Sequence, residues 1–190
     1  LATPTDSERL RVLEVASGTG QHASFFARNL HNVVWIPTDY DPKCIKSTDL
    51  WIAELPSEFR DKVMPCASLD VTADPSLWPV PAGSVDVIYN CNMIHLAPIS
   101  VLNGFCAGAG CVARPNAMLF LYGPFSVNGE HLSESNAAFD ESLRARDPSW
   151  GVRDVTDVQV EMAKNGFSFV ANETMPAKNS LLVFQKIASK

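Results

Sequence analysis

Residues 11–23 read RVLEVASGTGQHA, and three kinds of local structure meet inside them. Arg11–Ala16 is a short apolar, β-branched run of the kind that forms a strand. Ser17–Gly20 ends it with glycines, which let a backbone turn tightly and pass close to a ligand. From Gln21 to Leu30 the residues Ala23, Phe26, Ala27 and Leu30 share one helical face. A strand, a glycine loop and a helix in that order predict an α/β fold with its ligand at the carboxyl end of the strands.

The alternation continues outward. Val33–Thr38 is a second strand, stopped by Asp39, and Pro42 opens a helix to about Glu54, since proline suits a first helical turn. Val63–Leu69 is a weaker third strand, Val85–Asn90 a strong fourth and Ala117–Tyr122 a fifth. Strands alternating with helices predict a parallel sheet with crossover helices. Beyond the fifth strand the pattern changes. Gly123–Ser135 is a polar connection long enough for a lid, with Gly129 as its hinge. A helix to about Arg146, an irregular charged stretch (147–154) and a helix over Val155–Asn165 follow. Phe167–Glu173 and Ser180–Lys186 are strands close enough for an antiparallel pair.

Gly18-Thr19-Gly20-Gln21-His22-Ala23 fits the pattern G-x-G-x-x-G/A, and Asp39 ends the next strand, where a carboxylate can accept from ribose hydroxyls. Any nucleoside with an extended tail suits this arrangement, so NAD and S-adenosylmethionine both remain open on the pattern alone. Glu14, inside an apolar strand, favours a nearby cation; S-adenosylmethionine carries an ammonium and a sulfonium, whereas NAD presents a pyrophosphate. Asp70, in Leu69-Asp70-Val71, adds an acid suited to an adenine amino group. The plainer readings are a solvated edge residue for Glu14 and a helix or turn cap for Asp70.

The order of these residues resembles the class I S-adenosylmethionine-dependent methyltransferases over nearly the whole chain. LEVASGTGQ (13–21) resembles their first motif, with Ala16 where the first glycine usually stands; TDYDP (38–42), SLDV (68–71) and PVPAGSVDVIYNCNMIH (79–95) resemble the later ones. More narrowly, SGTGQH, NCNMIH, YGPF with Gly129, RDPSWGVRD and MPAKNSLLVF resemble the methyltransferase-like protein 26 family. The resemblance implies a Rossmann-like, doubly wound seven-stranded sheet, mostly parallel with a C-terminal antiparallel strand pair. It implies one methyltransferase domain over residues 1–190, with a covering N-terminal segment that only Leu1–Leu10 supplies here. It also implies S-adenosyl-L-methionine as cofactor and S-adenosyl-L-homocysteine as product. Their contacts are expected at Glu14, Ala16, Ser17, Gly18, Gly20, His22, Asp39, Tyr40, Leu69, Asp70, Val71 and Asn90.

Methyl transfer from a sulfonium is an in-line displacement in which the protein aligns the acceptor and excludes water. Positions after the fourth and fifth strands face the reaction, which selects Asn90, Asn92, Met93 and His95 on one side and Tyr122 on the other. His95 is a candidate base near neutral pH, or else a histidine at a helix N-terminus. Asn92 orients a substrate or caps the following helix; Tyr122 serves the acceptor or packs the strand end. Asp147, with Arg153 and Asp154, is a candidate for the acceptor side or part of a salt-bridged turn.

The 190 residues carry 15 basic and 21 acidic side chains, a net charge of −6, and no basic stripe, which argues against a nucleic-acid partner. No apolar run reaches membrane-spanning length. The five cysteines read as reduced core thiols, and no Cys/His spacing suggests a metal. A cytoplasmic enzyme acting on a small-molecule acceptor is therefore expected. Its natural N-terminus is expected upstream of Leu1. The alternatives are a non-catalytic S-adenosylmethionine-binding or partner subunit and a nicotinamide-dependent oxidoreductase. The latter needs a relay such as Tyr-x-x-x-Lys, which Tyr40-Asp41-Pro42-Lys43 does not supply.

Overall fold

Every residue of the second strand, β2 (Val33–Asp39), is buried, as a strand covered on both faces must be. It pairs in parallel with β1 (Leu10–Val15), and β1 in turn with β4 (Val85–Cys91). The computed structural model describes residues 9–188. Its central sheet has seven strands in the order β3-β2-β1-β4-β5-β10-β9. β3 is Ala67–Ser68, β5 Ala113–Gly123, β9 Phe167–Thr174 and β10 Ser180–Lys186. β10 runs antiparallel to both β5 and β9, so the C-terminal strand pair stands as expected.

Helices cover both faces. α1 (Gln21–Asn29), α2 (Pro42–Ala53) and the single turn α3 (Ser57–Arg60) lie on one. They close a cluster of Val12, Ala23, Ala27, Trp35, Ile52 and Leu55. α4 (Ile99–Val112) and α6 (Val155–Lys164) lie on the other, where Leu13, Ile88, Leu102, Phe105, Leu119, Val158 and Phe184 belong to the larger core. α4 is rich in glycine because neighbours press on it: a Cβ at Gly104 would sit 2.3 Å from the Val71 carbonyl oxygen, and one at Gly108 1.9 Å from the Trp78 ring. No helix of the described residues is long and apolar enough to cross a membrane.

Three expectations need correction. The third strand shrinks to two residues because Pro65 cannot join a ladder; Val63 keeps only an isolated bridge to Trp35. The helix after β4 begins beyond Pro98, at Ile99, so Asn92 and His95 sit in the preceding turns and not at a helix N-terminus. The connection 123–135 is not a free lid. It holds β6 (Phe125–Val127) and β7 (Glu130–His131), which form a small sheet with β8 (Arg153–Asp154). Phe125 is fully buried, and the Gly129 N–H donates to Asp154 Oδ2 at 2.8 Å. Between β7 and β8 lies α5 (Glu134–Arg146). Residues 1–8 of the expected covering segment lie outside the described residues.

Candidate functional site

The loop after β1 is fixed before any ligand is considered. Ser17 N–H donates to the Thr38 carbonyl at 2.9 Å, and Ser17 Oγ accepts from Thr38 N–H at 3.1 Å, tying the ends of β1 and β2 together. Gly20 adopts φ 91° and lies so close to α2 that a Cβ would meet Thr48 Cα at 2.6 Å. Only glycine meets both demands. Asp39, buried at the end of β2, accepts Gly18 N–H at 2.8 Å through Oδ2 and Asp41 N–H at 2.9 Å through Oδ1. The carboxylate thus stands between the glycine loop and the start of α2.

In front of it opens a cavity of about 670 Å³, lined by Ala16, Gly18, Asp39, Tyr40, Leu69, Asp70, Val71, Cys91, Asn92 and the turns leading to α4. A smaller cavity of about 230 Å³, lined by Ala16, Ser17, Gly18, Thr19, Gln21, His22, Cys91 and Asn92, shares part of its wall. The structure therefore brings Ala16, Gly18, Asp39, Tyr40, Leu69, Asp70 and Val71 together around the larger space, and Ser17 and His22 around the smaller. Asp70 also closes its own turn: Oδ1 accepts from the Thr72 N–H and hydroxyl, which lowers the carboxyl below its usual range. Asn90 is buried with Nδ2 donating to the Val15 carbonyl, while its Oδ1 has no partner.

Glu14 is not on a cavity wall. It is 1% exposed; Oε2 accepts from Trp35 Nε1 at 2.7 Å, and Oε1 lies 3.6 Å from His22 Nδ1. The carboxylate has its partners within the protein, so the expected contact with a ligand cation gives way to an indole and an imidazole. The contact with Glu14 raises the His22 pKa, against the opposing effect of burial.

The expected catalytic residues separate. Asn92, in the left-handed region at φ 61°, donates its N–H to the Tyr122 carbonyl and faces both cavities. Tyr122 lies on the strand face beside Cys91, its hydroxyl accepting from Asn179 Nδ2 at 3.0 Å. His95 is a correction: it is 1% exposed, with its ring edge against Phe125 and Nδ1 accepting from Arg153 N–H at 3.3 Å. Burial, with Arg153 adding to it, pushes its pKa down to about 3. A sealed imidazole held neutral ties the 151–153 segment to the turn after β4 and is no base for a ligand. Asp147 is a second correction. It caps its own turn through Ser149 N–H and Oγ and lines neither cavity. The wall residues Asp41, Thr72 and Cys91 escaped the sequence reading, although Asp41, just before Pro42, carried an N-cap signal and caps α2 through Lys43 N–H.

Solved structures share this architecture. The S-adenosylmethionine-dependent methyltransferase SibL in its apo form superposes with a TM-score of 0.75 at 18% identity, over 98% of this chain and 53% of that one. An O-methyltransferase family protein from Burkholderia thailandensis gives 0.78 at 12% identity, over 97% and 53%. YcgJ from Bacillus subtilis gives 0.72 at 13%, over 96% and 94%. The chain thus spans about half the length of the first two and nearly all of the third. At these identities the likeness establishes the class I methyltransferase fold. A closer relation comes from sequence: residues 1–186, which take in the glycine loop, both cavity walls and the strand pair, match the model of the family described as Protein of unknown function (DUF938), and to that family the chain belongs.

Proposed function

We propose that the protein binds S-adenosylmethionine in the larger cavity and transfers its methyl group to a small-molecule acceptor. The observation that carries this reading is Asp39, a buried carboxylate fixed by Gly18 and Asp41 N–H groups on the wall of a cavity of about 670 Å³. Other features of the chain fit the cofactor. A Cβ at Gly18 would meet nothing within 4 Å, so the loop faces open space. Asn90 lines neither cavity, but its Oδ1 is a buried acceptor without a partner near the end of β4. The cofactor supplies an activated methyl group when bound. Asp39 would hold the ribose hydroxyls, Leu69 and Val71 the adenine faces, and Asp70 its amino edge; Ala16, Gly18 and Asn92 would line the path to the acceptor. The narrower likeness to the methyltransferase-like protein 26 family, and one domain over the chain, belong to the same proposal.

Calorimetric titration with S-adenosylmethionine, S-adenosylhomocysteine and NADH tests it. The expected result is micromolar binding of the first two and none of the third. Asp39→Ala should weaken binding roughly 10- to 100-fold, the loss of a charge-assisted hydrogen-bonding group. Binding of NADH alone, or of none, overturns the reading.

A further inference from the structure

With His95 sealed, the only imidazole on a wall of the two cavities is that of His22. Its side chain is 45% exposed at the start of α1, and Nδ1 is turned toward Glu14 at 3.6 Å. Glu14 is itself held by Trp35 Nε1 at 2.7 Å. A half-exposed imidazole oriented by a buried carboxylate, which a third group fixes, is the arrangement that prepares a general base. Glu14 stands on the Nδ1 side of the ring, so a proton held at Nδ1 would leave Nε2 as the nitrogen able to accept. The surroundings are aromatic. The Tyr89 ring stands edge-on at 5.7 Å and Phe26 at 6.2 Å. Strand register places the half-buried Cys91, Phe120 and Tyr122 on the same sheet face as Tyr89 and the buried Glu14.

We propose that His22, oriented by Glu14, is the general base that takes the proton from a phenolic hydroxyl acceptor lying against this aromatic face. The inference rests on the methyl-transfer reading above. The acceptor oxygen forms a bond to the methyl carbon as the carbon–sulfur bond breaks, the latter's electron pair stays on sulfur, and the hydroxyl proton passes to His22 Nε2. Charge balances: one positive charge leaves sulfur and one appears on the imidazole, 3.6 Å from the Glu14 carboxylate. A phenol matches the base. Its hydroxyl keeps its proton near neutral pH and yields it as the new bond forms, whereas a carboxylic acid arrives already ionised and needs none. The ionisable groups around His22 are Glu14 from β1 and Tyr89 and Cys91 from β4. Burial raises both the Tyr89 hydroxyl and the Cys91 thiol, so both stay neutral beside His22.

Two measurements test the proposal. In the first, the intact chain is titrated by NMR through the His22 ring protons. The midpoint should lie above 6.5, and Glu14→Gln, which still accepts from Trp35, should bring it down. A wild-type midpoint at or below 6.5, or one that Glu14→Gln leaves in place, overturns the dyad. In the second, S-adenosylhomocysteine release is followed with a series of ring-substituted phenols of graded acidity. The wild type should lose kcat/KM on the acid side through the same midpoint. His22→Gln should lower kcat at least about 100-fold, abolish that acid limb and make the rate depend steeply on phenol acidity. A variant within threefold of wild type, or one with the limb intact, overturns the base. So does an affinity for S-adenosylhomocysteine that falls as far as turnover does, since His22 would then belong to the cofactor. Wild-type protein that binds S-adenosylhomocysteine but turns over no phenol overturns the acceptor class, whereas failure to bind it defeats the cofactor reading.

Discussion

The two faces of the central sheet use the same strand alternation for different purposes. Toward α4 and α6, Leu13, Ile88, Leu119, Leu121, Leu182 and Phe184 are each 1% exposed or less. On the opposite face α1 and α2 close over β1 and β2, but farther along Tyr89, Cys91, Met118, Phe120, Tyr122 and Leu181 are only half-buried. The difference shows in the histidines. His95, against the packed side, is sealed and held neutral; His22, on the open side, reaches a cavity and leans on a carboxylate. The packed face holds the fold together, and the open face leaves one imidazole within reach of solvent.

Neighbouring residues of β5 give the sharpest test of that division. Leu119→Ala removes a fully buried side chain from the larger core and should cost about 2–5 kcal/mol in urea unfolding. Met118→Ala, one residue away on the half-buried face, should cost less than about half as much. Equal losses would mean that the open face is as fully packed as the other, and the comparison would fail.

Next in size is the pH dependence that His95 imposes. Its folded-state pKa is depressed to about 3 from 6.5. The unfolded chain therefore takes up a proton below pH 6.5 that the folded protein refuses, and stability falls as the solution is acidified. The slope is about 1.4 kcal/mol per pH unit, or about 2 kcal/mol between pH 6.5 and 5. His95→Gln, which keeps an acceptor for the Arg153 N–H, should flatten that limb. An unchanged limb would assign it elsewhere.

How much of this was legible in the sequence follows from the reach of each interaction. The glycine loop and the strand–helix alternation could be read because spacing and composition within a dozen residues decide them. Asp39 could be read for the same reason, as an acid at a strand end. Glu14 was read as awaiting a cation because its partner Trp35 lies 21 residues away and meets it only across strand register. The supposed lid is stitched down by Asp154, 25 residues beyond Gly129. His95 looked available because nothing local shows that the 151–153 segment folds over it. Local chemistry placed the cofactor candidates near one another; tertiary burial decided which histidine was free, and no spacing rule carries that.

The smallest expected effect has the opposite sign and separates the two histidines most cleanly. The folded-state pKa of His22 is raised, first by its contact with Glu14. The stability this pair contributes is fully present below the unfolded value of 6.5 and is lost as pH rises through the folded one. Because the imidazole is 45% exposed, solvent screening keeps the contribution below about 1 kcal/mol. The difference in unfolding free energy between wild type and His22→Gln should therefore shrink from about pH 6 to about pH 8. His95 is common to both proteins and cancels from that difference. A difference that grows with pH would mean that the carboxylate does not hold the imidazolium. With both histidines present, stability climbs toward pH 6.5 as the unfolded chain sheds the proton that His95 refuses, then declines as the imidazolium beside Glu14 deprotonates, so the maximum belongs near neutrality.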